Sequence, residues 1–439
     1  MSKSSTFRIG YFLTTTRDWI RYNVPLRALL SWGGTICALF TFRLETRLNR
    51  LAESHRIALG IGVPSLAGKF LRSWVADPVK SKIWRERRIG WGRYRISGEG
   101  GTLHKSLIAR APDEDGKGVL SISFEYDLLT LLSVRDLEKL LDSYIVVYAG
   151  SWSPPSYQAL WSFPYAYRHE FFAGLSHPED VMRIRSLGFE VPILPLYMSS
   201  WLVPEDFHPR SPQDRDVDIV MVANWAHFKR HWVLFDALKR MNRPDLNIVL
   251  IGQPDSQRTV ENVRKEAELY GVAGQIQFLN RLPVDEVWRW LARSRISLVF
   301  SKREGSCVVV GESMMSDTPV GLLKGAGIGS IEFINPKTGM LLREGKHLAD
   351  DLSALLEKSK TMNPRAWAVE NISSQRAREI TTEKIKSVMN DQFRGDLLDV
   401  CIRGVLCYRT PPVPEIELAY RHLSEQHGLN FNLVSNLEK

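Results

Sequence analysis

No CxxC pair occurs anywhere in the chain, and Cys37, Cys307, Cys401 and Cys407 form no regular framework. That scarcity argues against a disulfide-built secreted scaffold and for a reduced, cytosolic setting. No Cys/His cluster has zinc spacing. Internal repeats and low-complexity tracts are missing as well. No recognisable nucleic-acid-binding motif is present. Long apolar runs are short in supply too. The best is "VPLRALLSWGGTICALFTFR", 24–43, with 15 uncharged residues between Arg27 and Arg43. A spanning helix needs roughly 20 apolar residues, and this run is interrupted by Gly33 and Gly34. It begins too late for a signal peptide, and no small-residue cleavage site follows it.

What is present fits a globular protein of two to three domains: 439 residues, 44% hydrophobic and 24% charged. The net charge of +9 is concentrated. Residues 1–100 hold 18 Lys and Arg against 6 Asp and Glu, a net of +12 that leaves about −3 for the remainder (9 − 12). Such asymmetry suggests an acidic surface as partner. The apolar segment 24–43, flanked by Arg17, Arg21, Arg43, Arg47 and Arg50, favours anionic lipid over nucleic acid. An ordinary core helix explains the same segment equally well.

A proline-rich polar stretch, "VPEDFHPRSPQDRD" (203–216), reads as a linker between two halves. Beyond it come short β-rich apolar runs at 218–223, 247–252, 276–279, 296–301 and 319–323. Helical spacing fills the gaps, as in Val260, Val263, Ala267 and Tyr270. Strand alternating with helix implies crossover connections and a parallel sheet covered on both faces, a Rossmann-like domain. The first half shows strands within 117–129 and 142–155 and a helix, turn and strand over 177–202, which suggests a second, less regular α/β domain. Residues 50–115 show little periodicity. The tail 391–439 holds a helix at 414–426.

Ligands on such sheets bind beyond the carboxyl ends of the strands. There the chain places "NWAHFKRH" with Lys229 and Arg230, "KREGSCVVVGE" with Glu304 and Glu312, and "KGAGIGSIEFINPKTGML" with Gly325, Gly327 and Gly329. Two cations, a helix start and a glycine loop on one edge suit a diphosphate. Lys229 at a helix start opposes the helix dipole, so a bound anion would explain it. By propensity Val308–Val310 read as strand; a crossover after "ISLVFS" requires a helix, with Ser306 as its expected N-cap.

These residues resemble the donor-binding domain of the retaining GT-B glycosyltransferases of family 4. Glu304 and Glu312 match that family's Glu–x7–Glu motif, "ESMMSDTPV" its continuation, Lys229 its lysine after the first strand, and "SIEFI…TGML" its closing segment. The likeness covers roughly 160–345. It departs at Asn224, where the family commonly has arginine, and in lacking a clear glycine-rich acceptor loop, for which Glu99-Gly100-Gly101 is a poor match. The first-domain histidine has no clear counterpart; His104 and His169 read as structural.

The resemblance implies a GT-B fold, two Rossmann-like domains facing a cleft. The expected layout is an acceptor-side domain over 1–205, a nucleotide-sugar domain over 206–390 and an extension over 391–439. It implies transfer of a sugar from a nucleotide-diphosphate donor to a glycan or lipid-linked acceptor, with retention, in surface polysaccharide or glycolipid synthesis. Glu304 and Lys229 would be catalytic. Glu312, Arg230, Asn224, Gly305, Ser306, Cys307 and Val308 would bind the donor. No cofactor, no catalytic metal and no nucleic acid are expected. Asp214 and Asp216 form an Asp–x–Asp in the wrong setting for a metal motif. Trp152, Trp161 and Trp201 read as core rather than sugar platforms, and Arg303 as solvated. The expected location is cytoplasmic, peripheral on the inner face of a membrane. A non-catalytic nucleotide-sugar or partner-binding relative, and a GT-B epimerase, remain open alternatives.

Overall fold

The computed structural model describes residues 3–59, 63, 65–75, 77, 79–80, 83, 101–132, 134, 136–150, 170–186, 191–255, 258–403, 405–411 and 413–432. Glu99, Gly100, Trp152, Trp161 and His169 lie outside them. The chain divides into two compact units. One comprises Met1–Thr14, Ser199–Ala377 and Ile402–Gly404; the other comprises Thr15–Met198, Arg378–Cys401 and Val405–Lys439. Each is an α/β unit built on a largely parallel sheet.

The chain opens with four helices: α1 (Lys3–Tyr22), α2 (Val24–Leu39), α3 (Leu44–Leu59) and α4 (Leu66–Val75). Asn23 caps α2, its side chain accepting from the Leu26 N–H at 2.9 Å, with Pro25 in the first turn. The helices α3 and α4 fall where the sequence shows little periodicity. Leu48, Leu51, Ala52, His55 and Ala58 do form a buried stripe on α3, but a histidine and interleaved arginines mask it in the sequence. Among the described residues no helix is long and apolar enough to cross a membrane.

The sheet of the 15–198 unit has five strands in sequential order: β1 (Ser106–Arg110), β2 (Gly118–Ile122), β3 (Tyr144–Tyr148), β4 (Phe171–Gly174) and β5 (Ile193–Leu194). The first pair is antiparallel and the others are parallel. Every residue of β1 to β4 is buried, as expected for strands covered on both faces. The tail completes this unit. Its helix Pro414–His427 packs on the sheet, where the Tyr408 hydroxyl donates to the Ile108 carbonyl at 2.7 Å and the Ile108 N–H donates to Tyr420 Oη at 3.0 Å. Cys401 and Cys407 are buried, with their sulfurs 3.7 Å apart.

The 199–377 unit follows the expected alternation. Its six strands are β6 (Val217–Val222), β7 (Ile248–Gly252), β8 (Ile276–Asn280), β9 (Ser294–Val299), β10 (Val320–Leu323) and β11 (Gly339–Leu342). The helices between them and next after β11 are α5 (His231–Met241), α6 (Val260–Tyr270), α7 (Val284–Ala292), α8 (Val308–Met315) and α9 (Leu348–Lys358), and Pro364–Ile372 follows. All pairings are parallel, in the order β11-β10-β9-β6-β7-β8. Strand order thus reverses between β6 and β9, the first and fourth strands. Such a reversal opens a crevice at the carboxyl ends, because the loops after the two strands lead to opposite faces of the sheet. β11 was not foreseen as a strand. Its run GMLL is only four residues long and follows a glycine.

The stretch 203–216 is more than a linker. It forms two short 3-10 turns, Pro204–Asp206 and Pro212–Asp214. Phe207 is buried, its ring centroid 4.4 Å from that of Trp288. Asp206 accepts two bonds from Arg403, at 2.7 and 2.6 Å. Three prolines suppress helix, yet their neighbours contribute to the core.

Candidate donor site at the strand-order reversal

The loop after β6 runs through Asn224 into a 3-10 turn, His227–Lys229, and α5 begins at His231. Arg230 stands between them in the left-handed region, φ 58°. The loop after β9 carries Lys302, Glu304 and Gly305 and enters α8 at Val308. Because β6 and β9 are neighbours in the sheet, these two loops flank the reversal point.

Across that point the Lys229 ammonium donates to Glu304 Oε2 at 2.7 Å. Both side chains are largely buried, 16% and 10% exposed. Arg230 is completely buried. Its guanidinium donates to the Phe300 carbonyl at 3.1 Å and pairs with Glu344. Lys302 reaches the same Glu344 carboxylate at 3.4 Å. Burial pushes the Glu344 carboxyl up, but Arg230 and Lys302 together outweigh it and hold it below its usual range. Glu344 follows β11, at the same carboxyl edge. The sequence gives no sign of its part in this cluster, because the short β11 that brings it to this edge leaves little strand signal.

Several buried polar atoms in these two loops and at the start of α5 have no partner: Glu304 Oε1, Asn224 Oδ1, Ser301 Oγ and both ring nitrogens of His231. Buried polar groups are normally satisfied, so a concentration of orphans marks a place where a ligand or ordered water belongs. His231 is fully buried, and burial first, then Arg258, Lys229 and His227, push its imidazole down to about 3. It is neutral at physiological pH and adds no positive charge to the cluster.

The valine-rich run is helical, as the crossover argument requires. The cap differs from expectation. Cys307 is the N-cap, in the left-handed region at φ 53°. Ser306 is buried and accepts from the Ser199 N–H at 2.8 Å, with the Ser199 hydroxyl 2.9 Å away. The Ser306 side chain faces the core because it ties the loop to the segment entering this unit. Burial, then the nearby Glu304 carboxylate, push the Cys307 thiol well up, so it is a neutral thiol. In the first turn of α8 the Val310 N–H donates to the Cys307 carbonyl at 3.0 Å, while Val308 and Val309 occupy positions whose N–H groups helix geometry leaves without an intrahelical acceptor.

Glu312 lies on the second turn of α8 and is buried. It accepts a bond from Trp288 Nε1 at 3.1 Å. Burial raises its carboxyl, and the indole bond offsets only part of that rise. Lys229, Glu304 and Cys307 therefore meet directly or through their fields. Glu312 acts on Cys307 from within the helix.

The glycine loop after β10 is tied down. Gly327 N–H donates to the Lys302 carbonyl and Gly329 N–H to the Gly305 carbonyl, both at 2.8 Å, while Gly327 O accepts from the Glu304 N–H at 3.1 Å. These two amides brace the Glu304 loop. Only Gly325, at φ 77°, uses glycine's backbone freedom. Asp216 is committed to Arg293, Nε to Oδ1 at 2.9 Å, and Asp214 accepts from Ser211. His104 is exposed, its N–H donating to Asp127. Trp201 is buried in the core. Among the described residues no three His, Cys, Asp or Glu side chains gather as a metal site.

Residues 204–371 match the model of the family described as glycosyl transferases group 1. The matched segment contains Lys229, Glu304 and Glu312 and the sheet that positions them. Among solved structures, sucrose-phosphate synthase from Thermosynechococcus elongatus is 16% identical over 62% of this chain and 73% of its own, with a TM-score of 0.49. Anabaena Alr3699/HepE in complex with UDP and glucose is 16% identical over 61% of this chain and 78% of its own, TM-score 0.48. The lipopolysaccharide outer core galactosyltransferase WaaB, apo form, is 14% identical over 60% and 72%, TM-score 0.46. No curated protein sequence matches the chain.

Proposed function

We propose that the protein is a GT-B glycosyltransferase of family 4. It would transfer a sugar from a nucleotide-diphosphate donor to a glycan or lipid-linked acceptor, with retention, in surface polysaccharide or glycolipid synthesis. The observation that carries this reading is the Lys229–Glu304 pair at the strand-order reversal of a glycosyltransferase domain, among buried polar atoms left without partners.

In the reaction the bond between the anomeric carbon and the diphosphate oxygen breaks and its electron pair goes to the diphosphate, while an acceptor hydroxyl oxygen bonds to the anomeric carbon and its proton passes to the departing diphosphate. Lys229 meets that growing negative charge, where a preorganised cation lowers the barrier most. The α8 N-terminus near Cys307 and Val308, with Gly305 behind it, supplies N–H donors to the same group. Glu304 stands beside the transferred sugar and holds Lys229 in place until the donor arrives. Glu312 accepts from the ribose hydroxyls, which replace the missing solvation of its carboxylate. Asn224 offers an unpaired carbonyl oxygen. Arg230 is spent on Glu344 and the β9 end, and it fixes the backbone turn that aims Lys229. No step uses a metal, so EDTA should leave the rate unchanged.

Incubation of the full chain with radiolabelled nucleotide sugars tests the proposal. The expected result is release of nucleotide with the sugar passed to acceptor or, slowly, to water. Altered sugar with the nucleotide still attached would mean an epimerase, and unchanged donor would mean a binding protein.

A further inference from the structure

Helix α2 is built inside out. Its buried residues are Ser31, Thr35 and Ala38, while Leu29, Trp32, Ile36 and Phe40 on the opposite side are 50–80% exposed. Phe42, just beyond it, is 98% exposed. A helix that met only water and protein would turn the other way, because burying apolar area is the main driving force for packing.

The packed side explains how the inversion is tolerated. The Ser31 hydroxyl donates to the Ser54 carbonyl of α3 at 2.7 Å, and the Thr35 hydroxyl to the Ser31 carbonyl at 2.8 Å. A Cβ on Gly34 would lie 2.5 Å from Ser54 Oγ. The two helices approach closely through small residues, with hydroxyls satisfied by backbone. That is how helices pack when lipid rather than water covers their apolar sides.

Charge points the same way. The first 50 residues hold eight Lys and Arg against two acids, Asp18 and Glu45. Arg17, Arg21, Arg43 and Arg50 are exposed near the two ends of α2 in sequence. With 16 residues α2 is about 24 Å long, short of the roughly 30 Å hydrocarbon core. It fits lying in an interface.

From these observations we propose that the exposed face of α2 and Phe42 dock on an anionic lipid surface. Trp32, Phe40 and Phe42 enter the headgroup boundary, and the flanking arginines meet lipid phosphates. This does not depend on the glycosyl-transfer reading.

Sedimentation of the full chain with phosphatidylcholine vesicles, with and without phosphatidylglycerol, tests it. The chain should bind the anionic vesicles, and raising salt should weaken binding several-fold as the charges are screened. The triple variant Trp32→Ser, Phe40→Ser, Phe42→Ser should bind about tenfold or more weakly, since it loses most of the inserted apolar area. Its far-ultraviolet circular dichroism should match the parent's, because the three side chains pack on little. An Arg17→Gln, Arg21→Gln, Arg43→Gln variant should lose the preference for anionic over neutral vesicles. The proposal is overturned if the parent stays in the supernatant with anionic vesicles, or if the aromatic variant binds as the parent does. A parent that light scattering shows to be a dimer, split by the aromatic substitutions and indifferent to vesicles, would assign the face to a second copy of the chain.

Discussion

Lys229 and Glu304 come from neighbouring strands and meet over the carboxyl edge of the sheet, ammonium to carboxylate, at 2.7 Å. They lie 75 residues apart in sequence, and the parallel pairing of β6 with β9 brings them together. In the proposed reaction a donor diphosphate would compete with Glu304 for the lysine. Removing either partner therefore has two effects, one on the fold and one on the reaction.

Lys229→Ala should lower kcat by about 10²-fold, as loss of a preorganised electrostatic group commonly does. It should also lower stability by roughly 1–3 kcal/mol, the usual cost of stranding a mostly buried charged hydrogen-bonding partner. Glu304→Gln should lower kcat with a smaller loss of stability, because the amide oxygen can still accept from Lys229. Steady-state kinetics with a thermal melt separates the two effects. Parental kinetics in both variants, with lowered melting temperatures, would reduce the pair to a structural salt bridge.

Glu312→Gln should trade binding for stability. Burial raises the carboxyl's folded pKa above its unfolded value. Its contribution to stability is thus greatest in acid, where it is protonated, and is lost as pH rises through the raised pKa. The ligand-free Gln variant should melt higher than the parent at pH 7, by about 2–4 °C for each 1 kcal/mol recovered, and the gap should close below pH 4. Donor binding should weaken by about 1–2 kcal/mol, seen mainly as a raised KM, because a neutral acceptor replaces a charged one. Melts at pH 4 and pH 7 check the sign. A variant less stable than the parent at pH 7 contradicts it.

Gly311→Ala should destabilise the 199–377 unit. The new Cβ would lie 2.8 Å from Leu202 Cδ1 and 2.9 Å from the Ser199 carbonyl oxygen. The α8 helix sits on the segment 199–202 at this point, so either the helix or that segment must shift. Overpacking of this kind costs typically 1–3 kcal/mol. Chemical denaturation gives the value, and an unchanged midpoint would mean the helix moves freely there.

Much of the 199–377 unit is legible in the sequence. Its strands are buried on both faces and written as apolar runs, and helices such as 260–270 show their spacing plainly. Two signals misled. Proline at 204, 209 and 212 suggests a bare linker, although Val203 just before them and Phe207 among them are core. Ser306 looked like the better cap by residue type, yet its hydroxyl is claimed by Ser199 from more than a hundred residues away. A tertiary partner outbids local propensity, and no local window contains it. Glu344 was hidden for a related reason. Its strand, β11, is too short to announce itself, so nothing in the sequence marks the loop behind it. The 15–198 unit was harder because its helices α3 and α4 carry mixed faces, and α2 buries the wrong side for a water-soluble helix.

The central claim is that Lys229, Glu304 and Glu312 form a nucleotide-sugar site. Thermal shift of the parent and the Lys229→Ala variant against UDP, GDP, ADP and their sugars tests it most directly. One nucleotide series should raise the parent's melting temperature, since a ligand at a hundred times its dissociation constant adds about 2.7 kcal/mol. The diphosphates should shift the variant much less, whereas the nucleoside alone should act on both equally. A panel that leaves the parent unmoved, or moves parent and variant alike, would contradict the assignment of this loop pair to a donor diphosphate.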